Sequence, residues 1–261
     1  SEYGQCDEGS KKIDVVAHRG FSAAAPENTI AAMKAAQAAG ATGCECDVYA
    51  TSDHVLVLCH DRTFKRTCGL DKRVVDCTFA ETRKLDASKA SPKFEQFKGE
   101  PVPTFEEYLV YMKSTDMWPV IELKMQGIEE AVLALVRKYK MEKRVHIISF
   151  NAKQIANVKR LAPEVSAVWL CSYKKEVPET QVIEKVLTTL KEIGIDTVDI
   201  SYSNVTPDFM AAMRKAGIHV WVWTIDKEEI VQDKIALGVE SITSNHVDML
   251  VEQLKKAGKY Q

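Results

Sequence analysis

Short apolar runs of strand length alternate with amphipathic segments along most of the chain. Counting the main apolar runs gives eight strands, each followed by a segment with the residue spacing of a helix. The predicted strands are 14–17, 43–49, 119–123, 145–149, 166–170, 197–201, 219–224 and 241–244. This repeat predicts an α/β protein with a (β/α)8 TIM barrel, whose active residues lie at the carboxyl ends of the strands. A doubly wound open sheet is the alternative, but the chain has no glycine-rich dinucleotide loop to support it.

Turn and capping residues place the helices between these strands. Gly40, Gly217 and Gly238 are expected to end three helices, because glycine readily adopts the left-handed conformation found there. The predicted amino-terminal caps are Asn28 or Thr29, Thr104 with Glu107, Thr206 before Pro207, and Asp226 with Glu229. The segment 55–59 is expected to form a hairpin with the second strand.

Residues 61–103 break the regular repeat. Prolines and glycines mark several loops here, and we interpret the segment as a small insertion after the second strand that lies over the active site. The whole chain, 1–261, is predicted to be one barrel domain. Cys68 and Cys77 flank a turn-like sequence and could approach each other, although their spacing does not establish a disulfide.

Composition excludes several classes of partner. Lysine plus arginine number 35 and aspartate plus glutamate 37, so the net charge is 35 − 37 = −2. The chain has no block of basic residues, so nucleic acid is not an expected partner. No run approaches the roughly 18 apolar residues of a membrane span, so stable membrane insertion is not expected. The seven cysteines include no C-x-x-C pair, which disfavours a zinc or thioredoxin-like site. The chain begins with serine, which is compatible with removal of a signal peptide and an extracytoplasmic or periplasmic location; a cytoplasmic location is equally compatible.

Acidic side chains gather at the ends of two predicted strands. Glu45 and Asp47 share one face of the second strand, because side chains alternate along a strand. Glu122 and Lys124 share a face at the end of the 119–123 strand. The alternative to a role in an active site is a buried ion pair between them that only stabilises the barrel. Three carboxylates without a thiolate or imidazole cluster favour one hard divalent cation, Mg²⁺ or Ca²⁺.

Two histidines follow neighbouring strand segments. His18 begins the sequence His18-Arg19-Gly20, and His60 is followed by Asp61. Histidine titrates near neutrality and can take up or release a proton beside a bound cation. The arrangement predicts a metal-assisted hydrolase in outline.

The order of these motifs resembles the glycerophosphodiester phosphodiesterase family, a metal-dependent group of TIM barrels. The motifs that carry the resemblance are His18-Arg19-Gly20, Pro26-Glu27-Asn28-Thr29, Glu45-Cys46-Asp47, His60-Asp61 and Glu122-Leu123-Lys124. Ser149-Phe150, Trp223-Thr224 and Thr243-Ser244-Asn245 extend it, so that it spans residues 14 to 252. The roles that the resemblance implies are metal ligand for Glu45, Asp47 and Glu122, acid–base catalysis for His18 and His60, phosphate binding for Arg19 and Lys124, and orientation of a histidine or contact with glycerol hydroxyls for Glu27.

The resemblance implies hydrolysis of a small-molecule phosphodiester. Glycerophosphocholine or glycerophosphoethanolamine would give sn-glycerol 3-phosphate and an alcohol. A phospholipase D-like hydrolase acting on lysophospholipids is the alternative, and an apolar groove formed by residues 61–103 would favour it. A non-catalytic binding protein that retains the barrel is a third hypothesis; it predicts loss of a ligand or histidine, whereas every expected position is filled.

Aromatic residues near the strand ends are candidate walls of the substrate site. Trp221 and Trp223 are two residues apart, and we expect only one of them, Trp223, to face the barrel. Plain core packing is the alternative for Trp223, and Phe150 is a second candidate wall. The histidines at strand beginnings are expected to be structural: His54, His146 and His219.

Overall fold

The structure is a computed structural model that describes residues 11–261. The strands are β1 (Asp14–Ala17), β2 (Gly43–Ala50), β3 (Leu56–Leu58), β4 (Thr63–Phe64), β5 (Leu70–Arg73), β6 (Trp118–Leu123), β7 (His146–Ser149), β8 (Ser166–Cys171), β9 (Thr197–Ser201), β10 (His219–Trp223) and β11 (Ser241–Ser244). The α-helices are α1 (Ile30–Ala38), α2 (Lys65–Cys68), α3 (Phe79–Arg83), α4 (Phe105–Lys113), α5 (Glu129–Lys138), α6 (Ala152–Leu161), α7 (Glu179–Ile193), α8 (Pro207–Lys215), α9 (Glu228–Leu237) and α10 (Val247–Lys256). Within the described part of the chain, no helix combines the length and apolar character needed to cross a membrane.

Eight of the strands form a closed parallel barrel. Their order around it is β1, β2, β6, β7, β8, β9, β10 and β11, and β1 pairs with both β2 and β11 to close the ring. At least one helix separates each barrel strand from the next. The predicted (β/α)8 barrel is therefore confirmed. Because the strands are parallel, all their carboxyl ends lie at one rim, where the candidate residues collect.

Alternation along the strands divides the barrel core into two layers. The larger layer lies between strands and helices and includes Cys44 and Cys46, while a smaller cluster inside the barrel has both Trp221 and Trp223 packed against it. The prediction that only one tryptophan faces the barrel is wrong, since residues two apart on a strand point to the same side. Trp221 lies deeper, in edge-to-face contact with His146 at a centroid separation of 5.0 Å.

The insertion at 61–103 has secondary structure and an apolar cluster of its own. Strands β4 and β5 pair antiparallel, α2 connects them, and α3 follows β5. Cys68 and Cys77 are buried in this cluster as free thiols, so no disulfide joins them. Strand β3 forms the predicted antiparallel hairpin with β2, which connects the insertion to the rim of the barrel.

Most of the predicted helix caps are present. The confirmed caps are Thr29 at α1, Thr104 with Glu107 at α4, and Thr206 before Pro207 at α8. The predicted cap at Asp226 is wrong: α9 begins after Lys227, without a side-chain cap bond. The Asp226 carboxylate instead accepts hydrogen bonds from the Ser244 hydroxyl and from the backbone and side-chain amides of Asn245. Ser244 and Asn245, at the end of β11, therefore bind the carboxylate in place of the backbone N–H groups at the start of α9.

Candidate active site

Three buried carboxylates lie together at the rim of the barrel. Glu45 and Asp47 point inward from β2, and Glu122 of β6 lies beside Asp47 in the strand register. One oxygen of each side chain lies within 4.8 Å of the others. Their residues are 3%, 1% and 8% exposed, so almost no water screens the repulsion among the three charges.

This cluster suits a cation. Among residues 11–261, neither Oε1 of Glu45 nor Oδ1 of Asp47 has a hydrogen-bond partner. Burial raises the pKa of Glu45 well above its ordinary value, and the charges of Asp47 and Glu122 raise it further. Buried, unpaired carboxylate oxygens are unfavourable unless a positive charge neutralises them. The residues present therefore fit a divalent ion with oxygen ligands.

His18 lies directly beside this cluster, on the turn after β1. Its Nε2 is 3.7 Å from Oε2 of Glu45, and its Nδ1 is 2.7 Å from Oδ1 of Asn245. Burial lowers the pKa of His18, and the positive charge of Arg19 lowers it further. The side-chain amide of Asn245 in turn donates to Asp226. This chain of hydrogen bonds, from residues that follow β10 and β11, fixes the orientation of the His18 imidazole.

The turn that follows His18 is tightly constrained. Arg19 has a positive φ of 57°, and Gly20 has a φ of 79°. A Cβ at Gly20 would lie 2.6 Å from the Cβ of Ala32, so only glycine allows this turn to approach α1 so closely. The Arg19 side chain is thereby directed back to the rim, with NH1 3.0 Å from Glu27 Oε2 and Nε 3.6 Å from Asp47 Oδ2.

His60 approaches from the β3 hairpin and is held by the insertion. Its Nδ1 lies 2.7 Å from Oδ1 of Asp61. Arg66 of α2 donates to both oxygens of Asp61 and, at 2.5 and 2.9 Å, to both oxygens of Glu27. The hydrogen bonds from Arg66 lower the pKa of Asp61 to about 2, so this carboxylate stays ionised beside the histidine.

A cavity of about 160 Å³ opens over the carboxylates. His18 and His60 both line it, as do Phe150 and Trp223. The two aromatic rings meet edge to face at a centroid separation of 5.8 Å, and the Trp223 indole N–H donates to the backbone oxygen of Asp199. The predicted walls thus border the space that the two histidines share.

A wider groove of about 570 Å³ begins at the same point. His18 and Arg19 line both spaces, and the groove continues past Arg66, Lys93 and Phe94 of the insertion. A ligand lying across His18 and Arg19 could therefore extend into the cavity on one side and into the groove on the other.

The structure brings all the predicted site residues to this rim. Seven of them line the cavity: His18, Arg19, Glu45, His60, Glu122, Phe150 and Trp223. The other three make direct contacts with these residues. Glu27 accepts from Arg19, the Lys124 ammonium is 2.9 Å from Glu122, and Asp47 faces Arg19.

Four further residues of the rim have no predicted role in the site. Asn28, with a φ of 55°, donates to Oδ2 of Asp47 and accepts from the Asp47 backbone N–H. From the sequence it is a possible helix cap and one residue of the Pro26-Glu27-Asn28-Thr29 motif, without a role of its own. Asn245 orients His18, Arg66 joins Glu27 to Asp61, and Asp199 lines the cavity. Asp199 had a recognisable pattern, because an acidic residue flanked by Val198 and Ile200 in a barrel strand is directed inward.

Comparison with known proteins agrees with this geometry. Residues 18–249 match the glycerophosphoryl diester phosphodiesterase family. A glycerophosphodiester phosphodiesterase of Caldanaerobacter subterraneus subsp. tengcongensis is 34% identical over 253 residues, which cover 95% of this chain and 100% of that protein. A second relative, the glycerophosphodiester phosphodiesterase of Bacillus subtilis, is 30% identical and covers 94% of this chain and 87% of its own length.

Solved structures share the fold. An Oleispira antarctica phosphodiesterase, determined in complex with the product sn-glycerol-3-phosphate, has a TM-score of 0.81 and 25% identity, covering 94% of this chain and 97% of its own. A glycerophosphodiester phosphodiesterase from Agrobacterium tumefaciens has a TM-score of 0.78 and 27% identity, covering 91% of this chain and 98% of its own. With the family's motifs assembled at one rim of the barrel, the chain belongs to the glycerophosphoryl diester phosphodiesterase family.

Proposed function

We propose that this protein is a metal-dependent glycerophosphodiester phosphodiesterase that releases sn-glycerol 3-phosphate and an alcohol. The observation that carries the proposal is the position of two histidines on one cavity, beside three buried carboxylates of which two, Glu45 and Asp47, have an unpaired oxygen. Acid–base groups and an anion-neutralising centre are the two requirements for cleaving a phosphodiester, which is itself negatively charged.

Glu45, Asp47 and Glu122 would hold the ion, and their all-oxygen donor set suits Mg²⁺ or Ca²⁺. When bound, the cation supplies positive charge for the phosphate oxygens as negative charge builds up on them. Arg19 and Lys124 add the positive charge of the protein at the same rim. The contact of Arg19 with Glu27 and Asp47 fixes its guanidinium before substrate arrives, so little reorganisation accompanies the reaction.

His18 and His60 would share the proton transfers. One imidazole accepts the proton of an attacking hydroxyl, the 2-hydroxyl of the glycerol half, and the other donates a proton to the departing alkoxide. The P–O bond to the alcohol breaks as the new P–O bond forms, which leaves a cyclic phosphate. Water then opens that ring with the two histidines in exchanged roles. Positioned acid–base groups of this kind contribute a factor of about 10²–10⁴ in rate.

Phe150 and Trp223 would bound the substrate from the barrel side. On the other side, the groove contains Arg66, Lys93 and Glu27 rather than a continuous apolar surface. Most apolar residues of the insertion are packed into its own buried cluster, and Phe94 is its one aromatic residue on the groove. A small polar phosphodiester fits this lining better than the acyl chain of a lysophospholipid.

The direct test is release of sn-glycerol 3-phosphate from glycerophosphocholine and glycerophosphoethanolamine, followed through a coupled dehydrogenase. We expect turnover that is lost with EDTA and restored by Mg²⁺ or Ca²⁺. Hydrolysis of lysophosphatidylcholine with no turnover of either glycerophosphodiester would favour the phospholipase D-like alternative. Full activity in EDTA after exhaustive dialysis would overturn the assignment of the carboxylate cluster.

A further inference from the structure

Asp199 presents a buried carboxyl group to the cavity, and one of its oxygens, Oδ1, has no hydrogen-bond partner among residues 11–261. It lies in the middle of β9 and is 3% exposed. The hydrogen bonds and ion pairs of the proposed catalytic residues do not include its side chain, yet it lines the same cavity as His18 and Trp223.

Such a group is unfavourable for the folded protein. Burial raises the pKa of Asp199 to about 8, and the charge of Glu122 contributes to the rise. An apolar residue would fill the same volume without leaving a polar atom unsatisfied. The carboxyl group is therefore best explained by a partner that enters the cavity, namely a ligand that donates a hydrogen bond.

The surroundings of Asp199 indicate the chemistry of that partner. Trp223 is fixed by its indole N–H on the Asp199 backbone oxygen, at 3.0 Å, and Phe150 packs edge to face against it. Thr224 and Thr243 add two hydroxyl groups to the lining. Aromatic faces accept the C–H side of a short polyol, while the carboxyl and hydroxyl groups pair with its O–H groups.

Charge favours a hydroxyl over an ammonium group at this position. Arg19 lines the cavity, and the neighbouring carboxylates would hold a divalent cation. An ammonium group placed here would be repelled by the Arg19 guanidinium, whereas a neutral hydroxyl would not. The three carboxylates offset the charge of a bound divalent ion, so the loaded cluster does not add to this repulsion.

We propose that Asp199 is a specificity-determining residue that hydrogen-bonds a free hydroxyl of the glycerol half of the substrate. The inference rests on the proposed function and adds to it an orientation: the glycerol half lies in the cavity, and the alcohol half extends into the groove that begins at His18 and Arg19. A substrate without free hydroxyls on its glycerol side would then be discriminated against at Asp199.

The test compares two phosphate monoesters by calorimetry, with Mg²⁺ and separately with Ca²⁺ in excess. sn-Glycerol 3-phosphate carries the hydroxyls, and propyl phosphate has the same anion and chain length without them. We expect the wild type to prefer sn-glycerol 3-phosphate and Asp199→Leu to reduce that preference about 10- to 100-fold, since a lost hydrogen bond to a buried group has an effect of this size. Propyl phosphate binding should stay the same.

Two further variants complete the test. Asp199→Asn should keep most of the preference, because an amide can also donate to and accept from a hydroxyl. Asp196→Asn is the matched control, since Asp196 is an exposed aspartate just before the same strand, and it should bind like wild type. Asp199→Ala serves the same purpose as the leucine variant if leucine does not fit the cavity and the protein unfolds.

Three outcomes would overturn the proposal. Equal weakening of both monoesters, or no change in either, would make Asp199 structural. Phosphoethanolamine is titrated in the same way as a third monoester, and a loss confined to its binding in both the Asn and Leu variants would mean that Asp199 binds an ammonium group. Because binding is measured without turnover, a wild type that hydrolyses no glycerophosphodiester but retains the hydroxyl preference would refute the proposed function alone.

Discussion

Arg66 should control activity while contributing little to stability. Its guanidinium donates to Glu27 at 2.5 and 2.9 Å and to Asp61 at 2.9 and 3.1 Å. Glu27 in turn holds Arg19, and Asp61 holds His60. Replacing Arg66 by methionine keeps most of the aliphatic stem but removes all these hydrogen bonds. Glu27 and Asp61, which contact Arg19 and His60, then both lose their contact with the insertion.

The expected magnitudes follow from exposure and geometry. The Arg66 side chain is 50% exposed, so water replaces its ion pairs at small loss, about 0–1 kcal/mol in the free energy of unfolding. The effect on rate is larger, because His60 and Arg19 need accurate placement and an error of about 1 Å can lower a rate about 10²-fold. We expect kcat/KM for glycerophosphocholine to fall about 10- to 100-fold, which corresponds to about 1.4–2.7 kcal/mol in the activation barrier.

Arg73→Met provides the matched control. Arg73 belongs to the same insertion, is 52% exposed, and makes a comparable double contact with Asp76 at 2.7 and 3.2 Å, away from the cavity. Thermal unfolding and steady-state kinetics are measured on both variants. Arg66→Lys should remain impaired, because one ammonium group cannot pair with two carboxylates in the bidentate manner of a guanidinium. Similar small losses of activity in Arg66→Met and Arg73→Met would refute the reasoning, as would a collapse of stability in Arg66→Met alone.

Three further predictions concern the ion, the acid–base pair and acid stability. Glu45→Gln should abolish the rise in unfolding temperature that Mg²⁺ or Ca²⁺ produces, without lowering that temperature in EDTA, since a repelling charge is removed; a retained ion effect would exclude Glu45 as a ligand. His60→Ala should lower kcat by about 10²–10⁴ with a nearly unchanged unfolding temperature, whereas His219→Ala, an exposed histidine paired with Glu240, should be neutral in both assays. Burial lowers the pKa of His146 from 6.5 to about 4, so its stabilising effect is complete above pH 6.5 and is lost as the pH falls towards 4. Urea unfolding should show that His146→Gln removes about 3 kcal/mol of the stability difference between pH 7 and pH 4, and an unaltered pH dependence would contradict this assignment.

The barrel and the place of the proposed reacting groups at its rim could be predicted because their signals are local. The eight strands follow from period-two and apolar runs, and Glu45 and Asp47 share a face by the same alternation. Alternation along β10 also puts Trp221 and Trp223 on one face, so the expectation that only one of them faces the barrel conflicts with that rule and not with any tertiary contact. The wrong prediction at Asp226 has a tertiary cause. The sequence around it fits a helix cap, but its carboxylate accepts hydrogen bonds from Asn245, a residue distant in the chain, instead.

The groups that orient the reacting residues could not be predicted in the same way, because their partners are distant in the chain. His18 meets Asn245 across 227 positions only because β11 pairs with β1 and closes the ring. Arg66 reaches Glu27 from a short helix in an irregular insertion, where no periodic pattern marks which way a side chain points. Each contact depends on the closed barrel or on the docked insertion, not on the flanking sequence. It follows that changes within residues 61–103 that displace Arg66 should alter catalysis, without altering the residues proposed to hold the ion.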